Sequence, residues 1–267
     1  MTSDSSHPLC WWCGGIADSR EHRVKASELR KMFIDSDHLF LGGGDRRPAK
    51  LKGPGAKAIL FPKVMCRECN NTRSKPFDNA YDHFVQKIRD DPEYFRSRQQ
   101  LDMTEIFNGD SFGSKKLARY YMKNIACRIA EIGFDVPAQI VDFMNGAPIM
   151  PNATLVIYKD FSNFDQFKRT GSSGHYPCAN RMHNPDSPDN GPLVAFCAEV
   201  QDGPVGAIFW WDSATELGIN FGFQRVIPLR ERRNLPYHGL HEDEWDRAAK
   251  LKLALDLQLL SSTDSDA

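Results

Sequence analysis

The sequence predicts an α+β protein in two parts, a small metal-stapled N-terminal domain followed by an α+β domain with a mainly antiparallel sheet and flanking helices. Three observations predict it. Two CxxC pairs, Cys10-Trp11-Trp12-Cys13 and Cys66-Arg67-Glu68-Cys69, stand near the start of the chain. Four thiolates on two such tight turns supply the tetrahedral ligands of a closed structural Zn²⁺ site. Apolar residues then recur at helical spacing over 77–88 and again over 117–132, and from Thr154 the pattern changes to short strand-like runs bounded by turn residues.

Taken in order, residues 1–9 are small and polar and are expected to be disordered, as is the Ser/Asp-rich tail 261–267. The metal-stapled domain is expected over 10–100 and the second domain over 115–260. Residues 27–33 read as a short helix with Ser27 as its cap. The Gly/Pro/Lys/Arg-rich stretch 42–57 has no period and reads as a loop. A strand over 58–65 should enter the second cysteine turn, and a helix carrying Phe77, Tyr81, Phe84, Val85 and Ile88 should leave it. Residues 100–114 read as a polar connector.

The second part opens with an amphipathic helix over 115–132, with Leu117, Tyr121, Met122, Ile125, Ile129 and Ile132 on one face and Gly133 as its stop. A short helix over 138–144 follows. Strands are expected at 154–158, 193–200, 205–211, 217–223 and 226–228, the second and third joined as a hairpin by Gln201-Asp202-Gly203-Pro204. A Leu/Ala-rich helix over 242–260 would close the chain. Trp210, Trp211, Phe221 and Phe223 read as core. The loop holding His175, Cys178 and His183 has no zinc-ligand spacing and reads as irregular surface.

The chain has 267 residues and a net charge of −1, which argues against a wholesale nucleic-acid coat. The distribution is uneven. Residues 1–100 hold 18 Lys and Arg against 13 Asp and Glu, so the half with the paired cysteines is basic and the rest is acidic. Such a half presents a positive face to phosphates. No long apolar run and no signal-peptide pattern is present, so a cytoplasmic protein without membrane contact is expected. In that reducing setting Cys127, Cys178 and Cys197 read as free thiols.

Between the cysteine pairs lies Glu21-His22, and the second pair runs straight into Asn70-Asn71. This order resembles the zinc-stapled branch of the HNH (ββα-metal) endonucleases of bacteria and their phages. The likeness rests on Cys66-Arg67-Glu68-Cys69-Asn70-Asn71-Thr72-Arg73-Ser74 with Asp78 following, and spans roughly residues 8–90. It implies a zinc-stapled ββα-metal domain in which Cys10, Cys13, Cys66 and Cys69 hold structural Zn²⁺. It implies that Glu21 and Asn70 hold a second, catalytic divalent ion and that His22 is the general base. Hard oxygen donors suit Mg²⁺ or Mn²⁺.

Many HNH proteins carry a middle asparagine ahead of the second cysteine pair. This chain has Leu60-Phe61-Pro62-Lys63-Val64-Met65 there, so a backbone carbonyl near Phe61 is expected to orient His22 instead. Asn71, Arg73, Ser74 and Asp78 could surround the ion or touch substrate, with Arg73 on a phosphate and Asp78 holding Arg73 or joining the ion. Ser74 and Asp78 serve equally as caps of the following helix. Arg46, Arg47, Lys50, Lys52 and Lys57 could contact a nucleic-acid backbone or simply be solvated surface. Trp11 and Trp12 would shield the zinc or pack on the domain interface rather than stack on bases.

The expected activity is phosphodiester hydrolysis, with nucleic acid as partner, DNA before RNA, and a homodimer left open. Two other readings fit the same motifs. One is a catalytically inactive zinc-stabilised nucleic-acid-binding module; the other is a zinc scaffold for a C-terminal effector-binding domain.

Overall fold

The computed structural model describes residues 8–35, 39–43, 46–148, 150–162, 164–165, 178–186, 191–213, 225–232 and 235. The chain is α+β with a mainly antiparallel sheet. Strand β1 (Ser19–His22), helix α1 (Ala26–Asp35) and a ribbon of β2 (Phe40–Gly43) and β3 (Arg46–Lys50) precede β4 (Leu60–Met65), which returns antiparallel to β1. The second cysteine turn continues into a π-helical turn, Glu68–Arg73, and then into α2 (Lys75–Asp90), with Pro76 in its first turn.

Short α3 (Pro92–Ser97), β5 (Gln100–Asp102) and α4 (Met103–Ile106) lead to α5 (Gly113–Glu131) and α6 (Ala138–Met144). Asp91 caps α3 by accepting from the Tyr94 amide, and Asp102 caps α4 from the Thr104 and Glu105 amides. Strands β6 (Ala153–Lys159), β7 (Cys178–Asp186), β8 (Ala195–Asp202), β9 (Val205–Asp212) and β10 (Val226–Glu231) complete the order.

The large sheet runs β5-β10-β6-β9-β8-β7, antiparallel throughout except for β10 beside β6. The hairpin of β8 and β9 turns at Gly203, whose φ of 60° is the left-handed conformation that glycine takes without steric cost. Both faces of the sheet are covered. Leu155, Ile157, Phe196, Ala198, Phe209 and Trp211 join the main core, while Val156, Tyr158, Cys197 and Ile208 form a smaller cluster behind. Tyr158 lies over its register partner Gly206, where a Cβ would run into the ring.

One apolar cluster runs from Cys10 to Leu229 and includes the cysteine turns, α2, α5, α6 and the sheet. Helix α5 is buried on nearly every side, so it stands at the centre, against both α2 and β4.

Three readings are corrected. The stretch 42–57 is in part a ribbon: β2 and β3 pair Phe40 with Lys50 and Gly43 with Arg46, and a glycine-rich polar strand has no alternation that would reveal it. Residues 100–114 are not a connector, since β5 pairs with β10 and α4 buries Met103 and Ile106. The surface loop holding Cys178 and His183 is, over Cys178–Asp186, the edge strand β7 beside β8. The terminal segments 1–7 and 261–267, the expected strand 217–223 and helix 242–260, His175, and the side chains of Trp210, Phe221 and Phe223 lie outside the described residues. Among the described residues no helix is long and apolar enough to cross a membrane.

Candidate functional site

The four paired cysteines converge. Cys10 and Cys13 sit on a turn closed by Cys10 N to Gly15 O at 2.6 Å and Gly14 N to Cys10 O at 2.8 Å, with Gly14 at φ 74°. The Trp11 amide donates to the Val64 carbonyl of β4 at 3.1 Å, which sets this turn beside the second one. All four sulfurs lie within 4.8 Å of one another, and Cys13 Sγ is 3.6 Å from Cys66 Sγ. That is far too long for a disulfide and close to the edge, about 3.8 Å, of a sulfur tetrahedron around zinc at about 2.3 Å. Burial pushes the Cys10 and Cys69 thiols up, so a cation is needed to hold them as thiolates. These residues can hold a metal ion such as zinc.

Arg73 and the tryptophans serve this centre. Arg73 donates to Cys69 Sγ at 3.4 Å and to Asn145 Oδ1 at 2.8 Å, and its guanidinium lies 4.4 Å from the Trp12 ring centroid. Trp12 Nε1 donates to the same Asn145 oxygen at 2.9 Å and stacks on Trp11 and Phe77. Trp12 is thus packed between the cysteine turns and the end of α6.

Glu21 and His22 are consecutive on β1, so they face opposite sides of the strand. The β1–β4 register slips on both sides of Arg20: Ser19 pairs with Met65, Arg20 with Lys63 and His22 with Leu60. Pro62, which has no N–H to give, falls in the second irregularity, opposite Glu21. Glu21 is 8% exposed and His22 partly buried. Asn70, on the π-helical turn, donates through Nδ2 to Ser19 Oγ at 3.0 Å and to the Arg20 carbonyl at 3.3 Å. Its Oδ1 is buried without a partner. Such an orphaned carbonyl oxygen, on a side chain tied to the residue before the buried Glu21, fits a hard divalent ion.

The carbonyl that meets the His22 ring is that of Pro54, not one near Phe61. It comes from the Gly53-Pro54-Gly55 turn, a part of the supposed loop that sequence spacing alone does not set against β1. Burial lowers the His22 pKa, helped by Arg30 and Lys123 and opposed by Glu21 and the Pro54 carbonyl, so its neutral form is favoured.

Asp78 neither holds Arg73 nor is left open for an ion. Its Oδ1 meets Lys123 Nζ at 2.8 Å and Lys25 Nζ at 3.0 Å, and its Oδ2 accepts from Ser74 Oγ at 2.9 Å. Burial works to raise its pKa, but the two ammonium groups outweigh it and the carboxyl is held low. Ser74 makes no capping bond with its side chain; its hydroxyl also reaches the Asn70 carbonyl at 2.6 Å, at the root of the candidate ligand. Asn71 is exposed, as are Lys50, Lys52 and Lys57, with Lys52 and Lys57 flanking the Pro54 turn. The side chains of Arg46 and Arg47 lie outside the described residues.

Two residues that motif reading passes over are central. Lys123, 1% exposed at the middle of α5, donates to Glu21 Oε2 at 3.2 Å and to Ser74 Oγ at 3.3 Å besides Asp78. Burial works to lower its pKa, but Glu21 and Asp78 raise it further, so it is a buried ammonium. The neighbouring Asn124 donates to the His22 and Arg23 carbonyls at 3.4 and 3.3 Å, holding the end of β1. The available signal was a lysine and an asparagine within a helix stretch that is otherwise Tyr, Met, Ile, Ala and Cys. Protein-family models, curated proteins and solved structures contain no match to this chain.

Proposed function

We propose that this chain is a metal-dependent endonuclease of the HNH (ββα-metal) type that hydrolyses phosphodiester bonds in nucleic acid, DNA before RNA. The single observation that carries the reading is the Asn70 side chain. It is clamped by its amide nitrogen to Ser19 and Arg20, the two residues that precede Glu21 on β1, and its carbonyl oxygen is buried without a hydrogen-bond partner. The order of parts supports the same reading: a strand bearing Glu21-His22, an antiparallel β4, a cysteine-anchored turn bearing Asn70, and α2.

The work of this chain's own groups follows from their placement. With the Pro54 carbonyl acting on the His22 ring, a neutral imidazole that turns its N–H toward that carbonyl keeps a lone pair on the other nitrogen for a water proton. As His22 takes that proton, the water oxygen forms its bond to phosphorus and the bond to the leaving sugar oxygen breaks, that oxygen being protonated from solvent. Exposed Lys52 and Lys57, on either side of Pro54, would neutralise the nucleic-acid backbone as it meets His22. A divalent ion, Mg²⁺ or Mn²⁺, held by Glu21 and Asn70 would supply positive charge for the scissile phosphate and its leaving oxygen.

The test is cleavage of supercoiled plasmid and of structured RNA by the zinc-loaded protein with Mg²⁺, Mn²⁺ or EDTA, beside His22→Ala. Metal-dependent cutting that His22→Ala loses supports the proposal. Binding without cutting under any ion would instead favour the inactive nucleic-acid-binding module, and neither binding nor cutting would favour the effector-binding scaffold.

A further inference from the structure

A buried lysine between two carboxylates invites a reason. Lys123 Nζ reaches oxygens on two elements, Glu21 of β1 and Asp78 and Ser74 at the start of α2. Stability alone is a weak one, because apolar packing usually holds a core as well as a buried ion pair does. Asp78 does not require it, having Lys25 at 3.0 Å on the same oxygen and Ser74 on the other. Glu21 is different: among the described residues its one hydrogen-bond and ion-pair partner is Lys123, on Oε2.

The charges also matter. Glu21 and Asp78 against Lys25 and Lys123 sum to zero before any ion arrives. A divalent cation at Glu21 therefore meets a carboxylate whose charge is already met, with a fixed ammonium 3.2 Å from one of its oxygens. Two positive charges that share one carboxylate inside a protein repel appreciably.

We propose that Lys123 is the positioning residue of this centre: it pins Glu21 by one oxygen, so that only the other is offered to the ion, and it weakens the hold on that ion. The inference rests on reading Glu21 as an ion ligand. Its signature is opposed changes in affinity and turnover, which a merely structural lysine would not produce.

The experiment uses the full zinc-loaded chain with Lys123→Met and Lys123→Gln. Mn²⁺ binding is followed by loss of the free-ion electron paramagnetic resonance signal, and turnover by plasmid cutting. Both variants lose the ammonium, so both should bind Mn²⁺ at least about ten-fold more tightly than wild type. Lys123→Met also frees the carboxylate and should lose about ten-fold or more in turnover. Lys123→Gln keeps a donor near Glu21 and should retain more of the turnover. Adding Glu21→Gln to either variant should abolish the tightened binding. If Lys123→Met fails to fold, Lys123→Gln carries the affinity comparison.

Unchanged or weaker Mn²⁺ binding in the folded variants overturns the proposal. Tightened binding through Glu21 in a protein that cuts nothing upholds the role of Lys123 and removes the nuclease reading. Absence of any Glu21-dependent Mn²⁺ binding, in wild type and variants alike, overturns both.

Discussion

The Asn70 amide donates to the Ser19 hydroxyl at 3.0 Å, a bond that ties the second cysteine turn to the strand bearing Glu21 and His22. The cysteine cluster and the candidate reactive groups are therefore tied together. Whatever holds the cysteine turn in place also holds the Asn70 carbonyl against β1.

Zinc should accordingly be structural. Purified protein is expected to hold about one Zn²⁺ per chain by elemental analysis, and Cys66→Ser should leave it insoluble or locally unfolded, since metal binding is folding free energy in such sites. A soluble, folded preparation without zinc would remove the metal centre from the account.

Asn70→Ala removes both the bare oxygen and the clamp on Ser19. Turnover should fall by about 10²-fold, with more Mg²⁺ needed for half-maximal rate and zinc content unchanged. Ser19→Ala loses one clamp only and should cost a few-fold. Equal losses in the two variants would mean that the amide acts through its donor bonds and not as an ion ligand.

His22→Ala should keep zinc, melting temperature and nucleic-acid affinity while turnover falls by about 10²–10⁴-fold. In the wild type burial lowers the His22 pKa from its ordinary 6.5, so the imidazole stays neutral to more acid pH. The rate should then drop, as pH falls, on a limb centred below that value, and the alanine variant's residual rate should lack the limb. A limb at the same pH in both proteins would assign it to another group.

Asp202 makes stability depend on pH. Tyr81 donates to its Oδ2 at 2.9 Å while Oδ1 is buried without a partner. Burial pushes its pKa from 3.8 up to about 7, with Glu28 adding to the rise and the Tyr81 bond opposing it. Between those values the folded protein keeps a proton that the unfolded chain has released. The contribution is full below the unfolded value and is lost as pH rises through the folded one. Asp202→Asn should therefore gain on wild type as pH rises, the melting-temperature difference shifting by on the order of 5 °C between pH 5 and pH 8. An unchanged difference across that range would mean that Asp202 ionises as in water.

Much of this was legible in the chain. The cysteine pairs come together because CxxC places two sulfurs on one turn whatever lies beyond it, and Phe84 and Ile88 on α2 or Ile125 and Ile129 on α5 reveal their helices through local spacing. The β8–β9 hairpin was legible for the same reason, its turn lying within four residues. Glu21, His22 and Asn70 could be singled out by their positions beside those cysteines.

The tertiary structure alone decided what surrounds them. Lys123 stands 102 residues from Glu21 and 45 from Asp78, and Asn124 stands 102 from His22. Pro54 reaches His22 from a turn of no periodicity, and Arg73 turns to Cys69 and Asn145 rather than to an open phosphate site. Periodicity identifies α5 as a helix but not which of its residues will meet β1, because burial runs without a break from Tyr120 to Cys127 and no polar face orients that stretch. The partners of Lys123 are set by how α5 docks between β4 and α2, a relation among distant segments that no local pattern encodes.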